Sequence, residues 1–242
     1  MKKIILPLFA ALMLCSCGNT TSKSAGECDS DSVASFEETE ECEANLNYMH
    51  PDTQMFELFG MVKSMTLTKY YDVSSEGEIK DKSNSFVEKK LFFTRSGEFD
   101  IYNKDFEWRL TNPQFDRSSE LKVSKVTWYV EDFDMNLSDT YEYNSRGMVS
   151  KLESEGVENF STITFKYDNN TNLISSHDES AGEGSIFCTD ITYTILEKDA
   201  QGNWTKRLLK CDEKTGDDDG SGKYTESSTY YEVETREIEY YE

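Results

Sequence analysis

Cys17 is the residue whose setting points most directly to chemistry. It follows Lys2 and Lys3, an apolar run over 4–14 broken by Pro7, and the tripeptide Leu14-Cys15-Ser16. A charged start, a short apolar stretch and a small residue before a cysteine match the order of a lipoprotein signal. On this reading the chain is cut between Ser16 and Cys17, residues 1–16 are lost, and the new N-terminal cysteine is acylated. The apolar run is too short to cross a bilayer as a helix, which takes about 20 residues. No later stretch approaches that length. The expected address is therefore exported and held to the outer membrane by lipid, with several acyl chains anchoring more firmly than one.

The other cysteines carry redox chemistry. There are six in all. Cleavage removes Cys15 and lipid occupies Cys17, leaving Cys28, Cys42, Cys188 and Cys211 for disulfides in an oxidising compartment. Cys28 and Cys42 are close enough in the chain to pair with each other. Cys188 and Cys211 are a second candidate pair. With a four-residue turn at 199–202, Tyr193 faces Leu208 and Cys211 faces Asp190. Cys188 then stands diagonal to Cys211, with Cβ atoms roughly 7 Å apart, where a disulfide needs about 4 Å. One bulge would close the gap. No C-x-x-C or Cys/His cluster occurs, so no structural zinc is expected.

Catalytic patterns are scarce. The two histidines, His50 and His177, sit in polar surroundings without a nucleophile in a familiar context, and both read as solvated loop residues. G-x-S-x-G, P-loop and H-E-x-x-H patterns are absent. With 47 Asp and Glu residues, a carboxylate pair at glycosidase spacing arises by chance and has little specificity. The acidic run 217–222 lacks the alternating ligands of a calcium loop. No metal or cofactor is expected. Trp108, Trp128 and Trp204 could stack on sugar rings, but strand aromatics mostly fill cores. Trp204 follows a turn and is the candidate for exposure.

The net charge of −22 repels phosphate backbones, so no nucleic-acid partner is expected. Between Glu27 and Glu43 the chain carries eight acidic residues and no apolar period. Residues 17–50 therefore read as an acidic, disordered tether. Gly18 has no acidic cluster directly after it, which favours a periplasm-facing position over the cell surface. Asp31-Ser32-Val33 offers Ser32 as a candidate O-glycosylation acceptor. An aromatic content of 13% is too high for a disordered acidic chain and argues that the remainder folds.

Residues 51–242 read as that folded domain. Asp52 or Thr53 is placed to cap a short helix through Met55–Phe59, stopped by Gly60. Strand-like alternation follows, with turn signals every 8 to 15 residues. The turns share a grammar. Phe92-Phe93-Thr94 leads to Gly97, Tyr141-Glu142-Tyr143-Asn144 to Gly147, and Ile195–Asp199 to Gly202. Phe165-Lys166-Tyr167-Asp168 leads, one residue later, to Asn172. Alternation sets two apolar residues on one sheet face. The polar residue bonds back to the turn, and Gly or Asn accepts positive φ. The pattern is a degenerate hairpin repeat.

These units resemble YD repeats of the Rhs type, roughly Tyr-x-Tyr-Asp-x-x-Gly-x-Leu. The chain as a whole resembles short YD-repeat-like lipoproteins of Gram-negative gut and oral bacteria. Leu58–Ser64, Gly202–Arg207 and Arg236–Tyr241 carry that likeness, which covers most of residues 55–242. Four units are too few to build the shell of large Rhs proteins. The resemblance implies a curled antiparallel sheet and no established activity.

The expected fold is all-β, a curled antiparallel meander of hairpin repeats with one short N-terminal helix. The leading expectation for function is a lipid-anchored envelope protein that presents this sheet to a protein or glycan partner, without catalysis. The alternatives are a carboxylate-dependent glycan-acting enzyme and a structural spacer in an outer-membrane assembly.

Overall fold

The computed structural model describes residues 50–108, 113–157, 159–218 and 222–242. A one-turn helix α1 (Pro51–Gln54) precedes twelve strands. They are β1 (Val62–Tyr70), β2 (Ser85–Phe92), β3 (Glu107–Trp108), β4 (Gln114–Arg117), β5 (Val123–Val130) and β6 (Met135–Tyr143). Then follow β7 (Val149–Glu155), β8 (Asn159–Tyr167), β9 (Leu173–Gly182), β10 (Ser185–Lys198), β11 (Trp204–Asp217) and β12 (Glu226–Tyr240). All belong to one antiparallel sheet in the order β3-β2-β1-β12-β11-β10-β9-β8-β7-β6-β5-β4. Every spatial neighbour is also a chain neighbour, except that β1 pairs with β12. The order is that of an up-and-down barrel opened between β3 and β4. The expected curled meander is what forms.

The curl brings the two edges together. Phe99, beyond β2, and Phe106, before β3, both contact Phe115 of β4, with ring centroids 5.5 and 6.4 Å apart. One hydrophobic core joins Met65 and Leu67 of β1, Leu91 of β2, and Val126 and Trp128 of β5, strands from opposite sides of the seam.

The hairpin grammar has a uniform physical form. At residues 74, 94, 118, 144, 168 and 199 the backbone N–H donates to the carbonyl four residues on. The N–H three residues on donates back to the carbonyl of the first, and all these bonds measure 2.8–3.2 Å. This is a type I turn closed by a left-handed residue. Gly77, Gly97, Gly147 and Gly202 fill the left-handed position, as do Leu121 (φ 63°) and Thr171 (φ 61°). Turns of the same form at 74–78 and 118–122 add to those the sequence pattern marks, the second with Leu121 where glycine is expected. The Asp168 turn is not one residue longer. Thr171, rather than Asn172, takes the positive φ. Asn144, Asp168 and Asp199 each accept two backbone N–H bonds through Oδ1.

Five of these turns lie at one end, and the segment 50–59 plugs it. Asp52 accepts from Phe99 N at 2.8 Å and pairs with Arg117 beside the 118–122 turn. Gln54 Nε2 donates to Arg146 O at 2.8 Å. Glu57 Oε1 accepts from Leu173 N at 2.7 Å. Asn203 accepts from Phe59 N at 2.7 Å and donates to Phe59 O at 3.0 Å. The plug thus meets all five turns in chain order. The helix is shorter and earlier than expected. It ends at Gln54, because Glu57 takes a left-handed φ of 54°. His50, not Asp52 or Thr53, is its N-cap, with Nδ1 accepting from Asp52 N. His50 is therefore a structural residue rather than a solvated one.

The sixth turn, at 74–78, folds onto the outer face of the sheet. A Cβ on Gly77 would stand 2.5 Å from Leu196 Cδ1, so glycine permits the approach.

Candidate functional site

Strand pleating sends alternate residues to the inside of the curl. Near the plug those residues are apolar. Further from it, across β8–β12 and β1, they turn polar and line a groove of about 760 Å³. Ser161, Asp178, Ser180 and Thr189 form one part of its lining, and Lys69, Glu213 and Glu232 another. Tyr71, Phe187 and Tyr230 supply aromatic surface. Ser161 Oγ donates to Asp178 Oδ1 at 2.7 Å, which fixes that carboxylate in place.

Between groove and plug lies a buried charge network. Lys69 Nζ stands 3.1 Å from Glu232 Oε2 and 3.9 Å from Glu234 Oε1. Arg207 donates to Glu234 Oε2 from both Nε and Nη2, each at 2.7 Å. Glu57 Oε2 lies 3.5 Å from Arg207 and 3.9 Å from Arg236, and accepts from Trp204 Nε1 at 3.1 Å. The guanidinium of Arg236 lies 3.5 Å from the Trp204 ring centre, and that of Arg207 lies 4.1 Å from it. Charges taken from water need such pairing, since each lone one costs several kcal/mol on the order-of-magnitude scale for buried ions.

The network sets the proton affinities around the groove. Burial works against the Lys69 charge, but Glu234, Glu88 and Glu232 outweigh it and raise its affinity well above the ordinary lysine range. Burial raises Glu232, and Lys69 offsets part of that rise. Tyr193, inside the network, is pushed up to about 12 by burial, against the pull of Arg207.

Several sequence expectations change here. Trp204 is buried, 3% exposed, and held between two arginines, so it offers no stacking platform. Trp128 is core. His177 lies in β9 rather than a loop, with Nδ1 2.7 Å from Asp190 Oδ1 on the outer face. Cys188 and Cys211 do not bond. Cys211 is a free thiol in the groove lining, paired with Ile191, while Cys188 pairs with Lys214. The turn loop holds three residues, 200–202, not four, since Asp199 N bonds to Asn203 O. That single residue shifts the register by one and sends the two sulfurs to opposite faces. Cys188 is nonetheless disulfide-bonded, and not to Cys211. His177, Cys188 and Asp190 place ligand atoms within 4.8 Å of one another, but a disulfide sulfur is not the thiolate a metal takes. Ser16, Cys17, Cys28, Ser32 and Cys42 lie outside the described residues.

No composition signal pointed to Lys69, Glu232, Glu234, Arg207 or Glu57. Charged residues alternating along β12 read as a solvent face, yet Glu232 and Glu234 are buried, 8% and 5% exposed. Among the described residues no helix is long and apolar enough to cross a membrane. No protein-family model matches this sequence, and no curated protein matches it either.

Proposed function

We propose that the chain is an exported, lipid-anchored binding protein, and that the groove holds a segment of glycan. The groove carries this reading. Its volume lies in the range of small-ligand sites, roughly 300–1,000 Å³. Its lining joins aromatic surface to short hydroxyls and a fixed carboxylate, the pairing that suits the apolar faces and hydroxyl edges of a sugar. The sequence order around Cys17 supports the anchor.

Glu232 and Glu234 are engaged by Lys69 and Arg207, which supports binding over catalysis. Glu232 also supplies the one observation for a glycan-cleaving alternative. It lies in the groove with raised proton affinity, as a general acid requires.

Binding is tested by screening the lipid-free chain against envelope and dietary glycans, then repeating the leading hit by calorimetry with Tyr230→Ala and Asp178→Ala. The expected loss is about tenfold or more for each, near 1.4 kcal/mol. Binding unchanged by both variants removes the groove from the reading. Release of shorter sugars, abolished in Glu232→Gln, replaces binding with cleavage. Separately, Cys17→Ser is expected to move the protein from the membrane to the soluble envelope fraction. A variant that still sediments with membranes refutes the anchor.

A further inference from the structure

We propose that the glycan taken by the groove is cationic, a chain of amino sugars whose nitrogens carry no acetyl group. This rests on the glycan reading of the groove and adds to it the charge of the ligand.

Register places the charges that decide it. Asp178 of β9 and Glu213 of β11 both pair with Thr189 of β10, and all three line the groove. Two carboxylates therefore flank one threonine hydroxyl on the concave floor. They stand two strand spacings apart, roughly 10 Å at the backbone, which leaves room between them for a sugar ring. Ser161 Oγ holds Asp178 at 2.7 Å, and Tyr230 Oη stands 3.5 Å from Glu213 Oε2.

The lining is negative as a whole. Glu183, in the β9–β10 turn, and Glu232 bring its carboxylates to four. Lys69 is the single basic residue of the lining, and its amine faces Glu232 at 3.1 Å and Glu234 at 3.9 Å. A glycan bearing uronate, sulfate or phosphate meets repulsion there. A neutral sugar offers hydrogen bonds but strips water from the carboxylates without supplying a counter-charge, which is costly. An ammonium supplies that charge, inside a cleft whose walls focus the field. The rings of Phe187 and Tyr230 add faces that attract cations.

The chemistry between the charges favours a sugar over a basic peptide. Ser161, Ser180 and Thr189 set short hydroxyls among the carboxylates. Ring hydroxyls match them, whereas the alkyl stem of a lysine leaves them without partners.

The test uses the full chain in detergent and calorimetry at mildly acid pH, where sugar amines are protonated. The probes are a glucosamine tetramer, its fully N-acetylated counterpart, a galacturonate tetramer and tetralysine. The glucosamine tetramer is expected to bind at least tenfold more tightly than any of the others. Its advantage should shrink as salt rises past 0.1 M, where charges are screened beyond about 10 Å. Asp178→Asn with Glu213→Gln keeps the shape of both side chains and should bring the ratio of glucosamine to acetylated affinities close to one. Thermal melts confirm that the double variant folds. Equal or tighter binding of the acetylated or galacturonate tetramer overturns the proposal, as does a preference for the amine that survives the double variant. Tighter binding of tetralysine overturns the sugar class. Acetylated binding that Tyr230→Ala weakens, with no preference for the amine, defeats the charge inference and leaves the groove as a glycan site. No binding by any tetramer defeats both.

Discussion

Arg117 grips Asp52 with two nitrogens, Nη1 to Oδ1 at 2.6 Å and Nη2 to Oδ2 at 2.7 Å, and this pair closes the seam of the sheet. Arg117 belongs to the edge strand β4. Asp52 also accepts the Phe99 N–H from the other side of the seam. One fully buried carboxylate thus clamps both edges of an open curl to the plug. Edge strands invite foreign pairing unless covered, and here covering and closure share a residue.

Asp52→Asn is expected to destabilise the fold by about 2 kcal/mol, because it removes the charge from a fully buried acceptor and turns one of its oxygens into an amide NH2 that faces the Arg117 donors. Arg117→Met in the same chain should recover part of the loss. Urea unfolding of the single and double variants checks this. A single-variant cost below about 0.5 kcal/mol, the range of an ordinary surface change, would show that the seam closes without the clamp.

Gly147 and Gly202 take the same left-handed position in equivalent turns, with φ of 79° and 90°. A Cβ on Gly147 would stand 2.8 Å from Gln54 Nε2, whereas nothing lies within 4 Å of one on Gly202. Gly202→Ala should cost about 1–2 kcal/mol from backbone strain alone. Gly147→Ala should cost more, since it also displaces Gln54 from its bond to Arg146. Thermal melts of both, alone and with Gln54→Ala, separate the two contributions. Equal costs for the two alanines would argue against the plug contact.

Leu121 carries strain that glycine would relieve. It sits at φ 63° on an exposed turn, with half its surface in water. Leu121→Gly should stabilise by about 0.5–1 kcal/mol, as relief of left-handed strain outweighs glycine's entropy cost. A higher urea midpoint with an unchanged slope is the expected signature.

Cys211 should be inert in the folded chain. Burial, with a smaller push from Glu232, lifts its thiol from about 9 to about 12, against the pull of Lys69. Alkylation at pH 8.5 should require denaturant. The sign for stability follows from proton retention. Between pH 9 and 12 the folded thiol keeps a proton that the unfolded thiol loses. Its contribution is therefore complete below about 9 and fades as pH rises towards 12. Cys211→Ala should flatten that alkaline decline, and an identical slope in the variant would count against the shift.

Much of this architecture is local and so was legible in the chain. A polar residue followed three positions on by glycine makes a turn through bonds spanning four residues. Alternation around each turn makes the strands, and the all-β curl follows. What tertiary structure decided depends on residues far apart. Trp204 lies next to a turn, and its burial comes from Glu57 and Arg236, on the plug and β12. Glu232 and Glu234 look like a solvent face until Lys69 and Arg207 meet them inside the curl. The separation of Cys188 from Cys211 hung on one loop residue, since a strand's two-residue period turns a slip of one into a change of face. The sequence alone determined turns, strands and sheet class, because those rest on neighbours. Register, the seam clamp and the groove were settled only when the sheet closed on its plug, because their energies come from pairs that the chain itself does not bring together.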